Sequence, residues 1–140
     1  MRIISKSLSE MTGHELKQCR SLTLRKGGLM CEDLTHWLHY EKTDGRMRRK
    51  CRIFMLKPDD SDKLIAWAFL MPSFKPTPGY DAQFYTRVSE RGKGYASVLM
   101  EECTKVYPKP YVYPHDRTSG KFFAKHVETI RFDRDDREWL

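Results

Sequence analysis

Apolar positions recur along this chain with two different periods, and the switches between them predict the order of its elements. Three short hydrophobic runs, Cys51 to Leu56, Leu64 to Met71 and Asp81 to Val88, read as strands. Pro58-Asp59-Asp60-Ser61-Asp62 separates the first two and the proline-rich Pro72 to Gly79 the last two, so an antiparallel meander is the economical arrangement. From Gly92 to Tyr107 the period becomes helical: Tyr95, Val98, Leu99, Cys103 and Val106 share one face, with Glu101 and Lys105 outward. Tyr111-Val112-Tyr113, after Pro108 and Pro110, predicts a further strand, and Phe122, Phe123, His126, Val127 and Ile130 one face of a last helix. Arg131 to Leu140 is too charged to assign.

The N-terminal part is less regular. A short strand is expected at Arg2-Ile3-Ile4, followed by the capping-box form Thr12-Gly13-His14-Glu15, which opens a helix toward Gly27-Gly28 with a thin apolar stripe. Met30, Leu34, Trp37 and Leu38 recur at helical spacing behind an acidic first turn of Glu32 and Asp33, predicting a second helix. This succession points to an α+β domain around a mixed sheet with helices on both faces.

Composition narrows the picture. At 140 residues the chain has room for one domain, 1–140, with a real core. Its 39% hydrophobic and 32% charged residues fit a soluble protein, and no run approaches the roughly 20 apolar residues of a membrane span. The start, Met1-Arg2-Ile3-Ile4-Ser5-Lys6-Ser7, turns polar too soon for a secretory segment. Cys19, Cys31, Cys51 and Cys103 are scattered without a Cys-x-x-Cys pair, which indicates neither a zinc site nor a disulfide framework and fits a reducing cytoplasm. His36 and His39 lack a further ligand cluster, so no metal is expected. The net charge of +7 favours anionic partners without choosing among them.

The choice comes from Arg91-Gly92-Lys93-Gly94-Tyr95-Ala96, which follows a predicted strand and opens the strongest predicted helix. A glycine-rich turn at a helix start leaves backbone N–H groups unpaired and lets a pyrophosphate approach, while the helix dipole and two cationic side chains add attraction. The pattern Arg-x-x-Gly-x-Ala resembles the acyl-CoA signature of the GNAT superfamily of N-acyltransferases, Gln/Arg-x-x-Gly-x-Gly/Ala. The resemblance extends from about Leu64 to about Val127, its specific part confined to Val88 through Leu99. The small size and charged C-terminus further resemble acetyltransferases encoded by bacteriophages.

The resemblance implies a GNAT-like, mostly antiparallel sheet, acetyl-CoA as cosubstrate, and direct transfer of an acetyl group to an amine acceptor, protein or small molecule, in the cytoplasm (the host's, if the source is viral). It implies that Arg91, Gly92, Lys93, Gly94, Tyr95 and Ala96 hold the coenzyme A pyrophosphate and that a backbone N–H near Arg87 and Val88 polarises the thioester. Asp116, Ser119, Phe122 and Phe123 match the spacing of the family's Asn-x-x-Ala-x-x-Phe-Tyr, so that Phe123 stands where the family carries a Tyr that protonates the leaving thiolate. Tyr111 or Tyr113 is a nearby substitute.

Direct transfer needs an amine that has lost its proton, hence a carboxylate or imidazole within reach. Asp81, Glu90, His115 and Asp116 are the candidates near the active edge, although Asp81 and Asp116 equally suit turn and helix-cap positions. Two rival readings remain at this stage. One is a GNAT-like binding or regulatory module with weakened catalysis, kept open by Phe123; the other is a small basic nucleic-acid-binding protein whose glycine turn clamps a backbone phosphate, with the basic run Arg46-Met47-Arg48-Arg49-Lys50 as a further contact.

Overall fold

Period-two alternation in the central strands builds two hydrophobic layers on opposite faces of one sheet. In the computed structural model, which describes residues 1–23, 51–72, 79–112 and 117–132, β1 (Arg2–Ser7), β2 (Arg52–Lys57), β3 (Ala66–Pro72) and β4 (Tyr80–Thr86) form an antiparallel meander. Two short parallel strands, β5 (Tyr111–Val112) and β6 (Arg131–Phe132), complete the order β1-β2-β3-β4-β5-β6. The sheet is mixed and mostly antiparallel, as the sequence predicts. The predicted helix around Met30 to Leu38 and the basic run from Arg46 to Lys50 lie outside the described residues.

Ile53 and Met55 of β2 join Trp67, Phe69 and Met71 of β3 on one face, under Leu16, Cys19 and Leu22 of α1 (Gly13–Thr23). Phe54 and Leu56 join Ala66, Ala68 and Leu70 on the other, under Leu99, Met100 and Cys103 of α2 (Tyr95–Val106) and Phe123 of α3 (Arg117–Ala124). The fold is therefore α+β with helices on both faces.

The expected cap of α1 is present in both directions. The Thr12 amide donates to Glu15 Oε1 at 2.9 Å and the Glu15 amide donates to Thr12 Oγ1 at 3.2 Å, satisfying two donors at the helix start. The thin apolar stripe of α1 is supplemented by a polar cluster. Buried Lys57 Nζ donates to Gln18 Oε1 at 2.9 Å and to Asp62 Oδ1 at 2.6 Å, while Gln18 Nε2 donates to the Asp62 carbonyl at 2.8 Å and His14 Nε2 lies 2.8 Å from Asp62 Oδ2. The hydrogen bond from Lys57, then that from His14, pulls the Asp62 carboxyl down to about 2.

Three expectations need correction, and one unassigned stretch is filled in. The inward face of α2 is Leu99, Met100 and Cys103, with Tyr95 packed beside it, while Val98 and Val106 are exposed. The fourth strand stops at Thr86 instead of Val88, because the chain turns at Arg87 into a 3-10 turn at Val88–Glu90. The last helix ends at Ala124: the Lys125 and His126 amides bond back three residues to Phe122 and Phe123, which tightens the chain and leaves Val127 exposed. The unassigned start of the charged C-terminus forms β6, where the Arg131 amide donates to the Pro110 carbonyl at 2.9 Å and the guanidinium lies 4.1 Å from the Tyr111 ring centroid.

Candidate functional site

The antiparallel pairing that runs the length of β4 on its β3 side has no counterpart on the β5 side. There the pairing is Asp81↔Tyr111 alone, and beyond it no described strand lies alongside Ala82 to Thr86. A cavity of about 560 Å³ opens at this divergence. Its walls are β4, the start of α2 and the inner side of α3, with Leu22 of α1 reaching it from the opposite sheet face. Successive β4 residues point to opposite faces, and both Phe84 and Tyr85 line the cavity, so it passes from one face of the sheet to the other through the gap between strands.

The glycine turn sits at one end. Gly92 and Gly94 have φ of +78° and +82°, the left-handed region that a side chain disfavours, and a Cβ built on either glycine meets no atom within 4 Å. Gly94 is also the N-cap of α2, and the first amide bond of that helix is from Val98 to the Gly94 carbonyl at 3.2 Å. The amides of Gly92, Lys93, Gly94, Tyr95, Ala96 and Ser97 meet no acceptor among the described residues. The Arg91 amide, by contrast, reaches the Val88 carbonyl at 3.3 Å. Six consecutive amides at the positive end of a helix are an arrangement with the chemistry to hold an anion.

Charges around the turn are paired or displayed at the rim. Glu90 Oε2 accepts from Lys93 Nζ at 2.8 Å, a bond that holds the Glu90 carboxyl below its ordinary value and raises the Lys93 ammonium above its own. Arg91 Nε donates to the Thr86 carbonyl at 3.3 Å, while Lys121 and Lys125 bring further positive charge from α3 and its exit. Phe122 and Phe123 pack against Phe84 and form the apolar wall opposite β4. Deeper, Tyr85 stacks on buried Trp67 at 4.6 Å between centroids, and its hydroxyl donates to Gln83 Oε1. Trp67 thus packs in the core.

Of the residues singled out from sequence, Arg91, Gly92, Gly94, Tyr95 and Ala96 line the cavity together. Lys93 reaches it through Glu90. Arg87 and Val88 do not line it: the Arg87 amide donates to the Ile65 carbonyl at 2.9 Å, its Nε donates to the Leu64 carbonyl at 2.9 Å, and Val88 points to solvent. The Arg87 amide is thus committed within the sheet. Asp81 stands one residue before the first lining residue of β4, at the point where β4 and β5 part. His115, Asp116 and Tyr113 lie outside the described residues, and Tyr111 is buried under Arg131 away from the lining.

One residue carries more than its sequence suggests. His126, expected only as part of an apolar face, places Nε2 3.3 Å from Ser97 Oγ in the first turn of α2 and its ring 5.0 Å from that of Phe122. Partial burial, then the neighbouring Lys125 charge, keeps its imidazole below the ordinary histidine value. The contact joins residues 29 apart in sequence, so no local pattern announces it.

The architecture is similar to that of two solved enzymes. An N-acetyltransferase from Staphylococcus aureus superimposes with a TM-score of 0.59 at 16% identity, over 91% of this chain and 83% of that one. An aminoglycoside antibiotic 6'-N-acetyltransferase from Acinetobacter haemolyticus superimposes with a TM-score of 0.52 at 15% identity, over 96% of this chain and 80% of that one. No protein-family model matches the sequence, and no curated protein matches it significantly. Likeness at this level of identity is a likeness of fold.

Proposed function

We propose that this chain, whose fold is that of the GNAT N-acyltransferases, binds acetyl-CoA in the β4–α3 cleft and transfers the acetyl group directly to an amine of a protein or small molecule. The observation that carries this reading is the row of amides from Gly92 to Ser97, which meets no acceptor among the described residues and opens onto a cleft long enough to run through the sheet. The residues fit the cosubstrate. A diphosphate carries two negative charges and close-set oxygens, matching successive N–H donors, the α2 dipole and the Arg91 guanidinium. The φ of Gly92 and Gly94 disfavours the side chains that would fill the space.

When bound, the thioester supplies an acyl carbon already activated toward an amine. The chain's part is to hold and orient it. Phe84, Phe122 and Phe123 exclude water from the middle of the cleft. The diverging edge of β4 faces the position of the acyl group, and α1 contributes Leu22 to the far side, where the acceptor enters. Proton removal from the acceptor is assigned to His115, Asp116 or Asp81, the groups that follow β5 in sequence or stand at the parting of the strands. Phe123 carries no proton to give; Tyr85 and Tyr95 are the phenols in the described lining able to protonate the leaving sulfur.

Isothermal titration with coenzyme A tests the binding half of this reading: saturable one-site binding is expected, and its absence refutes the reading. Thiol release from acetyl-CoA in the presence of mixed amines tests the transfer half. Phe123 favours a second reading, a module that binds coenzyme A without efficient transfer, and binding without thiol release would select it.

A further inference from the structure

We infer that His126, acting with Ser97, is a binding residue for the anion held at the start of α2, and that its protonation tightens that grip. The inference rests on the coenzyme A reading above and adds a group from outside the glycine turn. Ser97 is the third residue of α2; its amide belongs to the unclaimed row and its side chain lines the cleft. His126 Nε2 lies 3.3 Å from Ser97 Oγ, so the imidazole stands one side-chain contact away from the residue whose amide ends the row.

The imidazole is held in place from several sides. Its ring packs on Phe122, its amide donates to the Phe123 carbonyl at 2.9 Å, and its carbonyl accepts from the Thr129 amide at 2.8 Å and from the Thr129 hydroxyl at 2.9 Å. Phe122 and Ser97 both line the cleft, and His126, which is not itself a lining residue, touches both.

The charge environment sets the sign. Lys125 is the charged neighbour on its own segment, with exposed Glu128 two residues on. The α2 side presents uncharged Ser97; the charged groups near that end of the helix are Arg91, whose Nε donates to the Thr86 carbonyl, Lys93, paired with Glu90, and Glu101, one turn further along, while α3 adds Lys121. Burial and Lys125 favour neutral His126 in the free protein. A bound diphosphate reverses the balance, since two negative charges a few ångströms away favour the imidazolium. Binding therefore takes up a proton. Affinity rises as pH falls through the bound-state pKa and levels off below the free-state value.

Titration calorimetry with dephospho-coenzyme A tests this, because that ligand keeps the diphosphate and lacks the 3'-phosphate monoester, which would itself titrate in this range. The intact protein should bind about tenfold more tightly at about pH 5.5 than at about pH 8, with proton uptake visible as a dependence of the heat on the buffer's ionisation enthalpy. His126→Gln, which retains a hydrogen-bonding group for Ser97, should bind with the weaker affinity and a flat profile. His126→Arg should be flat near the tighter affinity. The same slope in wild type and both variants places the titrating group elsewhere and overturns the inference, while the coenzyme A reading survives. Absence of binding by wild type at every pH refutes that reading and takes the role of His126 with it.

Discussion

The two sides of β4 are built on opposite rules. Toward β3 seven residue pairs run from Ala66↔Thr86 to Pro72↔Tyr80, and the β3 side chains from Ala66 to Leu70 are fully buried. Toward β5 the pairing among the described residues is one pair long, and a cleft opens beside it. Stability is concentrated where pairing and packing are complete, and binding capacity where they are withheld. Substitutions in the two regions should accordingly separate stability from ligand affinity.

The largest expected effect on stability is in the closed region. Phe54→Ala removes a ring that is 1% exposed and packed between sheet and α2, so urea unfolding should show a loss of about 3–5 kcal/mol. A loss below about 1 kcal/mol would mean that this layer is not the main core. The mirror-image case is Gly94→Asp. It places a carboxylate beside the proposed diphosphate and should weaken coenzyme A binding by at least about a hundredfold in calorimetry. Its cost in stability should stay within about 1–2 kcal/mol, since φ is +82° but no atom lies within 4 Å of the new Cβ. Equal losses of stability and affinity would erase the contrast between the two sides.

A smaller effect is expected from Thr12→Ala, which removes one half of the reciprocal cap of α1. About 1 kcal/mol of stability should be lost with coenzyme A affinity unchanged. Smaller again is the acid dependence of the Lys57–Asp62–His14 cluster. The folded carboxyl of Asp62 is depressed from 3.8 to about 2, so its contribution is complete above the unfolded value and disappears as pH falls from about 4 toward 2. Asp62→Asn should remove that part of the acid slope in denaturation measured across the range. At the quiet end of the series, burial pushes the Cys51 and Cys103 thiols up to about 12, so iodoacetamide should leave both unlabelled until the protein unfolds.

The sequence announced those features whose cause is local. The meander is legible because β2 and β3 alternate between two buried faces, and the Thr12–Glu15 cap because three-residue spacing is a property of the helix start itself. The glycine turn is legible because positive φ selects glycine at positions 92 and 94. What escaped depended on distant partners. Val98 and Val106 differ from Leu99 and Met100 in where the sheet lies, not in hydrophobicity. The strand at Arg131–Phe132 forms because β5 offers an edge to a polar segment, and Arg87 leaves the cleft because Ile65 and Leu64 accept its donors. Ser97 and His126 meet only after the chain has folded round α3. Phe123 is visible in sequence, but its consequence for the proposed chemistry depends on which phenols line the cleft, and among the described residues those are Tyr85 and Tyr95.

The central claim is that the amides from Gly92 to Ser97 bind a diphosphate, and it is tested most directly by following backbone amide resonances of isotope-labelled protein during titration with coenzyme A. The account predicts the largest shifts at Gly92, Lys93, Gly94, Tyr95, Ala96 and Ser97, saturating together, with the β1–β3 amides little changed. Shifts concentrated instead at Arg46 to Lys50, with the turn unmoved, would contradict it.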